Sequence, residues 1–318
     1  MKKRRLKLFL FFWLCTTFLI CTIFLVSGCS TNPHNNAVVQ ETPFAENSIP
    51  AEHLVFIGID GWGAVYVPKA DIPTIKRMIT NGASSMDMRC VMPSVSWPNW
   101  SSLFFGASPK DRTGIKERNA PKNIVDDFPS IFTIVNNLVA AKQGREVHRA
   151  VLFYEWKELQ KICPDETAEK LQIGTTVESA HAIASYIVEN KPVFTAVVFD
   201  KLDSAGHNNR WGSPAYYSKL AEIDGLIAII EQAVKDAGIH DSTVFMLAAD
   251  HGGKFRGHGV NFPSHRKIPI VMYGSTIKEG YVIPSKKSIC DIAPTMAAIL
   301  GLEAPPEWTG RPIEGIYK

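Results

Sequence analysis

Residues 54–60 read Leu-Val-Phe-Ile-Gly-Ile-Asp, and Gly61 and Trp62 follow. An unbroken apolar run that stops on Asp-Gly predicts a strand buried on both faces and ended by a turn. The same texture returns at 150–155 (AVLFYE), 193–200 (VFTAVVFD), 243–249 (TVFMLAA) and 268–273 (IPIVMY). Between these runs, segments 72–81, 128–142, 176–190, 214–237 and 290–300 carry helical spacing. In 214–237, Tyr217, Leu220, Ile223, Ile227 and Ile230 recur at three- and four-residue steps and make one apolar face. Continuous apolar strands alternating with amphipathic helices predict an α/β fold, with a mostly parallel central sheet covered by helices on both faces. A single domain over 53–318 accommodates the whole pattern.

In such sheets ligands bind beyond the carboxyl ends of the strands, so the residues there carry the functional reading. Three predicted strands run into aspartates: Asp60, the pair Asp200 and Asp203, and Asp250. One aspartate after a strand is ordinarily a turn or helix cap. Histidines change the reading. Asp203 and His207 stand four apart with Gly206 between them, Asp250 adjoins His251, and His258 lies between Gly257 and Gly259. Carboxylate and imidazole donors gathered at one sheet edge suit borderline cations such as zinc or manganese.

The bulk composition excludes other classes. The chain has 318 residues, 46% hydrophobic and 20% charged, and a formal net charge of +3. Five of its 34 basic residues (Lys2, Lys3, Arg4, Arg5 and Lys7) precede residue 8, and the 29 that remain face 31 acidic residues. The body is near neutral and offers no basic field for nucleic acid. The five charges introduce an apolar run from Leu8 to Val26, followed by Ser27, Gly28 and Cys29. This order predicts a secretory signal over 1–28. Val26-Ser27-Gly28-Cys29 resembles a bacterial lipobox, which implies lipidation of Cys29 and an extracytoplasmic, membrane-anchored protein. A retained signal anchor is the alternative, since about 19 apolar residues suffice to span a bilayer. Residues 29–52, polar and aperiodic, read as a flexible tether. Cys90, Cys163 and Cys290 are widely spaced and select no disulfide pair.

Residues 93–106 read PSVSWPNWSSLFFG. Serine is a poor nucleophile unless a base or a metal activates it, and no Gly-x-Ser-x-Gly elbow is present. Pro98 suits the first turn of a helix, which places Ser96 at a helix N-terminus, where backbone N–H groups favour a phosphoryl group. The plain alternative is that Ser96 is only a helix cap.

Taken in order, IDGW, PSVSWPNWSSLFFG, LDSAGH, ADHGG and GHG resemble the alkaline phosphatase superfamily, and within it the type I phosphodiesterase/nucleotide pyrophosphatase branch. The resemblance implies a phosphoric ester hydrolase acting on a small ester through a phosphoseryl intermediate at two divalent metal ions, zinc foremost and manganese second. It implies one ion held by Asp60, Asp250, His251 and the nucleophile Ser96, and another by Asp203, His207 and His258. Ser94 is the rival nucleophile and His265 the rival to His258. The family's phosphoryl-binding asparagine corresponds to Asn119, with Asn99 as the alternative. Ser96 is also what the superfamily's phosphomonoesterases use, so monoester hydrolysis is the second reading. A phosphoryl or phosphoethanolamine transferase and a non-catalytic metal-binding lipoprotein follow. Cys90-Val-Met-Pro-Ser94 does not fit the sulfatase pattern Cys-x-Pro-x-Arg, because proline falls one place late and no arginine follows.

Overall fold

The computed structural model describes residues 50–113, 128–141, 150–163, 168–284 and 286–318. All of them belong to one compact unit, Thr42–Lys318. Eight strands of the described residues form one sheet: β1 (His53–Ile59), β2 (Ala83–Arg89), β3 (Ala150–Tyr154), β4 (Ala168–Gln172), β5 (Phe194–Phe199), β6 (Thr243–Ala248), β7 (Lys267–Gly274) and β8 (Tyr281–Val282). Their order is β4-β3-β5-β1-β6-β7-β2-β8. The first five in that order run parallel. β7 runs antiparallel to both β6 and β2, and β8 returns parallel to β2.

The helices are α1 (Pro73–Thr80), α2 (Ser96–Phe105), α3 (Pro109–Thr113), α4 (Ile131–Ala141), α5 (Val177–Asn190), α6 (Lys201–Asn209), α7 (Pro214–Asp236), α8 (Pro263–Arg266) and α9 (Ile292–Ile299). They pack as two groups, α1, α5 and α6 against α7, and α2, α4 and α9 with one another. Every residue of β5 and β6 is buried, as is all of β1 after His53, so both faces of the central sheet are covered. The α/β architecture expected from strand 54–60 is therefore the one observed.

Local sequence explains the elements that frame the site. Pro73 opens α1, whose first free amides, Thr74 N and Ile75 N, donate to the Asp224 carboxylate of α7 at 3.0 and 2.8 Å. α2 is buried from Trp97 to Phe105, with Trp97, Trp100, Leu103, Phe104 and Phe105 as its large apolar side chains. Trp100, Phe104, Phe132 and Phe194 form a chain of ring contacts with centroids 6.2, 5.5 and 5.2 Å apart. Each such side chain contributes about 1.5–3 kcal/mol on burial, so α2 is fixed in the core and the residue at its first position is fixed with it. The body also reaches back into the predicted tether. Ala51 N donates to Ile299 O and Glu52 N to Ser242 O, at 2.9 and 3.0 Å. The signal stretch, Cys29 and the tether up to residue 49 lie outside the described residues. No helix of the described residues is long and apolar enough to cross a membrane.

Candidate active site

The strands that end on aspartates prove to be neighbours, in the order β5-β1-β6. Parallel pairing brings their carboxyl ends to one edge, so Asp60, Asp250 and the start of α6 meet there. The turn after β1 is drawn tight by Gly61, whose φ is +71° and whose added Cβ would lie 2.9 Å from Asp203 Cα. Only glycine fits this close approach without strain. Gly61 N donates to Asp250 Oδ1 at 3.0 Å, and Gly61 O accepts from Trp211 Nε1 and the Tyr216 hydroxyl at 2.9 and 3.0 Å.

Each histidine of the set uses Nδ1 to donate to a backbone carbonyl. His207 reaches Arg256 O at 2.9 Å, His251 reaches Gly252 O at 3.0 Å, and His258 reaches Ser94 O at 2.9 Å. That contact leaves the Nε2 lone pair turned inward. The carboxylate atoms facing it are Asp60 Oδ1, Asp203 Oδ1 and Asp250 Oδ2, all buried and without a hydrogen-bond partner. His251 Nε2 lies 3.2 Å from Asp250 Oδ2 and 3.6 Å from Asp60 Oδ1. His258 Nε2 lies 3.6 Å from Asp203 Oδ1 and 3.0 Å from His207 Nε2, and His207 Nε2 lies 3.3 Å from Asp203 Oδ2. Lone pairs gathered without donors are costly for protein alone and suited to a cation.

Two groups have ligand atoms within 4.8 Å of one another: Asp203, His207 and His258, and Asp60, Asp203 and His251. Asp203 belongs to both, and Asp250 joins the second through His251. The two groups touch where the rings of His251 and His258 stack, centroids 3.9 Å apart. The nitrogen and oxygen donors, the fixed tautomers and the orphaned carboxylate oxygens fit divalent metal ions.

Burial sets the electrostatics. It pushes the Asp60 and Asp250 carboxyls well above their ordinary value, and the Asp203 charge adds to the effect on both. It drives His251 down to about 3 and His258 to about 4. His207 is raised instead, because its protonated ring would donate Nε2–H to Asp203.

Ser96 is the first residue of α2, and its Oγ lies 3.3 Å from His251 Nε2. Ser94 has a different task. Its hydroxyl donates to Val260 O and accepts from Gly259 N, both at 3.1 Å, which stitches the serine loop to the His258 loop. Asn99 is fully buried, with Oδ1 on Val91 N and Nδ2 on Pro93 O and Val95 O, so it is spent on holding that loop. Asn119 lies outside the described residues. His265 stands apart from both ligand groups, with its ring against Phe262. Cys90 is also apart. Its thiol, pushed up to about 12 by burial, points at His265 O, 3.7 Å away.

Sequence reasoning passed over three supports: Trp100, Trp211 and Tyr216. Trp100 Nε1 donates to Asp60 Oδ2 at 2.9 Å and leaves Oδ1 free to face the site. The signal for Trp100 was its position four residues after Ser96 on one helix.

A mostly parallel α/β sheet with a carboxylate–imidazole cluster at its carboxyl edge and a serine at an adjacent helix start has the alkaline phosphatase-like fold. Residues 54–118 and 136–261, more than half of the chain, match the type I phosphodiesterase/nucleotide pyrophosphatase family. The chain belongs to that family, which is metal-dependent. It is similar to ectonucleotide pyrophosphatase/phosphodiesterase family member 1 of Mus musculus, with 21% identity over 67% of this chain and 25% of the relative. It is also similar to arylsulfatase K of Xenopus laevis, with 31% identity over 30% of this chain and 19% of the relative. The chain thus spans about a fifth to a quarter of the length of these relatives. Among solved structures, murine ectonucleotide pyrophosphatase/phosphodiesterase 5, in an inactive form in complex with AMP, shares the fold. Its TM-score is 0.64 at 12% identity, over 80% of this chain and 96% of that one.

Proposed function

We propose that the chain is a metal-dependent phosphoric ester hydrolase of the phosphodiesterase/nucleotide pyrophosphatase type, with Ser96 as nucleophile. One observation carries the reading. Ser96 Oγ sits at the start of a core helix, 3.3 Å from His251 Nε2, beside carboxylate oxygens that have no donor. Asp60, Asp250 and His251 would hold one divalent ion beside Ser96, and Asp203, His207 and His258 a second, with zinc foremost and manganese second. When bound, such ions supply Lewis acidity that lowers the pKa of the Ser96 hydroxyl and offsets phosphoryl charge.

The chain's own residues do the rest. The start of α2 presents the positive end of its dipole to the phosphoryl oxygens. Asn119 is the proposed donor to one of them. The Oγ–P bond forms as the bond to the leaving oxygen breaks; Ser96 loses its proton to solvent and the leaving alkoxide gains one. Water then cleaves the phosphoseryl ester and restores the Ser96 hydroxyl.

The test is turnover of an aryl phosphodiester, an aryl phosphomonoester and an aryl sulfate by the full chain after zinc or manganese reconstitution. The diester is expected to be the best of the three, and Ser96→Ala to abolish its turnover with metal content unchanged. Best turnover of the monoester would move the protein to the phosphatase reading. Best turnover of the sulfate would overturn phosphoric ester hydrolysis, although Cys90, buried and outside both ligand groups, argues against it. Full activity in Ser96→Ala would remove the nucleophile assignment. The proposed location is outside the cytoplasmic membrane, anchored by lipid on Cys29. Incorporation of labelled palmitate that is lost in Cys29→Ser tests it.

A further inference from the structure

The loop between His251 and His258 does more than deliver the second histidine. Lys254 and Gly257 close a tight turn by two backbone hydrogen bonds, Lys254 N to Gly257 O at 3.0 Å and Gly257 N to Lys254 O at 3.1 Å. At its tip stands Phe255, 68% exposed and with φ +55°. A bulky residue in left-handed backbone is strained, and such strain collects where function demands it. The turn is held firmly at that cost. Arg256 O accepts from His207 Nδ1 at 2.9 Å, the Arg256 guanidinium donates to His207 O and Asn208 O, and Trp211 N donates to Phe255 O at 2.8 Å.

Phe255 has company. Phe262 is 52% exposed, and the Lys254 ammonium lies 5.3 Å from the ring centroids of both Phe255 and Phe262. Val260 on the same loop is 51% exposed, and its carbonyl is bound by Ser94. Among the described residues, the exposed phenylalanines are these two, and they flank His258 on one loop, at 255 and 262. Exposed aromatic side chains rimming a polar site, around one cation, form a surface for an anionic ligand with an apolar arm.

We infer that Phe255, Lys254 and Phe262 form a substrate-binding rim that selects phosphoric esters carrying a bulky apolar substituent, aromatic or acyl, over esters of small alcohols. The inference rests on the phosphoric ester reading and adds the chemistry of the ester's organic part. The phosphate group enters the cluster while its substituent lies over the two rings, and Lys254 faces the anion.

The experiment is calorimetric titration of the zinc-reconstituted full chain carrying Ser96→Ala, in which turnover is abolished, with diphenyl phosphate and with dimethyl phosphate, both as probes of binding. Diphenyl phosphate is expected to bind about tenfold more tightly, a modest yield for laying one ring on an apolar surface. Phe255→Ser combined with Phe262→Ser in the same Ser96→Ala background is expected to remove that preference and leave dimethyl phosphate binding unchanged. A Ser96→Ala chain with both rings in place that does not prefer the diphenyl ester overturns the inference. So does a double variant that keeps the preference, or one that weakens both ligands equally. Because binding is read without turnover, this preference together with a wild type that cleaves no phosphodiester would refute the hydrolase reading and leave the rim standing. Both replaced rings are exposed, and unchanged thermal unfolding of the variant confirms that the fold survives.

Discussion

The two halves of the ligand cluster are built in opposite ways. Asp60, Asp250 and His251 come directly off β1 and β6 and are 0 or 1% exposed. Asp203, His207 and His258 come from α6 and a glycine-rich loop, and the His207 side chain is 43% exposed. The inner half is held by the sheet whether or not a cation is present, and its charges are desolvated. The outer half opens to solvent through His207, and its ring nitrogens face each other at 3.0 Å. Rigid inner ligands suit activation of a nucleophile that must not move. Exposed outer ligands suit exchange of the departing group.

Replacing Asp250 by Asn should have the largest effect. It keeps the amide-facing oxygen that accepts from Gly61 N and His251 N but removes the charge. Turnover should fall on the order of 10³-fold, with loss of bound metal beside Ser96. His207→Gln, on the exposed side, should cost far less, about 10- to 100-fold. Equal losses, measured as kcat/KM with metal content, would erase the distinction between the halves.

Trp100→Phe tests the inner half one shell out. The ring volume that meets Phe104 is largely kept, while the donor to Asp60 Oδ2 is lost. An outer-sphere partner of a metal ligand is worth about 10- to 100-fold in metal affinity or activity. A loss of activity without loss of stability would show that Asp60 is aimed by the indole, and an unchanged metal affinity would show that it is not.

The pH dependence of stability separates the buried carboxylates of the cluster from its imidazoles. The folded Asp60 and Asp250 carboxyls titrate above their unfolded value. Their contribution is therefore full below the unfolded pKa and is lost as pH rises through the folded one. His251 and His258, at about 3 and about 4 when folded, act in reverse: their contribution is present above the unfolded value of about 6.5 and is lost as pH falls below it. Below the unfolded histidine value the two sets oppose each other in metal-free protein. Metal requires deprotonated ligands, so the gap in Tm between zinc-loaded and EDTA-treated protein should widen from pH 5 to pH 8. A gap that is flat or narrows would mean that the buried carboxylates are not the ligands.

How much of this could be read from the chain follows from where the information lies. The five long apolar strands were legible because burial on both faces leaves few polar residues in them. β2, β4 and β8 were not. β2, with the sequence ASSMDMR, pairs on both sides at the sheet's margin and alternates weakly, β4 holds Glu169 and Lys170, and β8 is two residues long. Asp60, Asp203, His207, Asp250, His251 and His258 were legible as residue types at strand ends, and the structure brings them together. Adjacency of β5, β1 and β6 was not legible, because strand order is decided by crossover connections rather than by local pattern. Nor was the role of Trp100, which has the look of a core residue and is one, except for its single polar atom.

The smallest effect is also the most discriminating for the two halves, because Ser94 joins them. Its carbonyl holds His258 of the outer half, its hydroxyl ties Val260 and Gly259, and it stands two residues before Ser96 of the inner half. Ser94→Ala removes the hydroxyl's two contacts and keeps the carbonyl. An acceptor and a donor, both part-buried, then lose their partner, at about 0.5–1.5 kcal/mol for each contact, which lowers Tm. Turnover should fall about tenfold at most, since the His258 contact survives. A loss as deep as that of Ser96→Ala would make Ser94 the nucleophile after all. A normal Tm with normal turnover would show that the His258 loop holds its place without the stitch, and that the inner and outer halves are joined only through Asp203 and the stacked rings of His251 and His258.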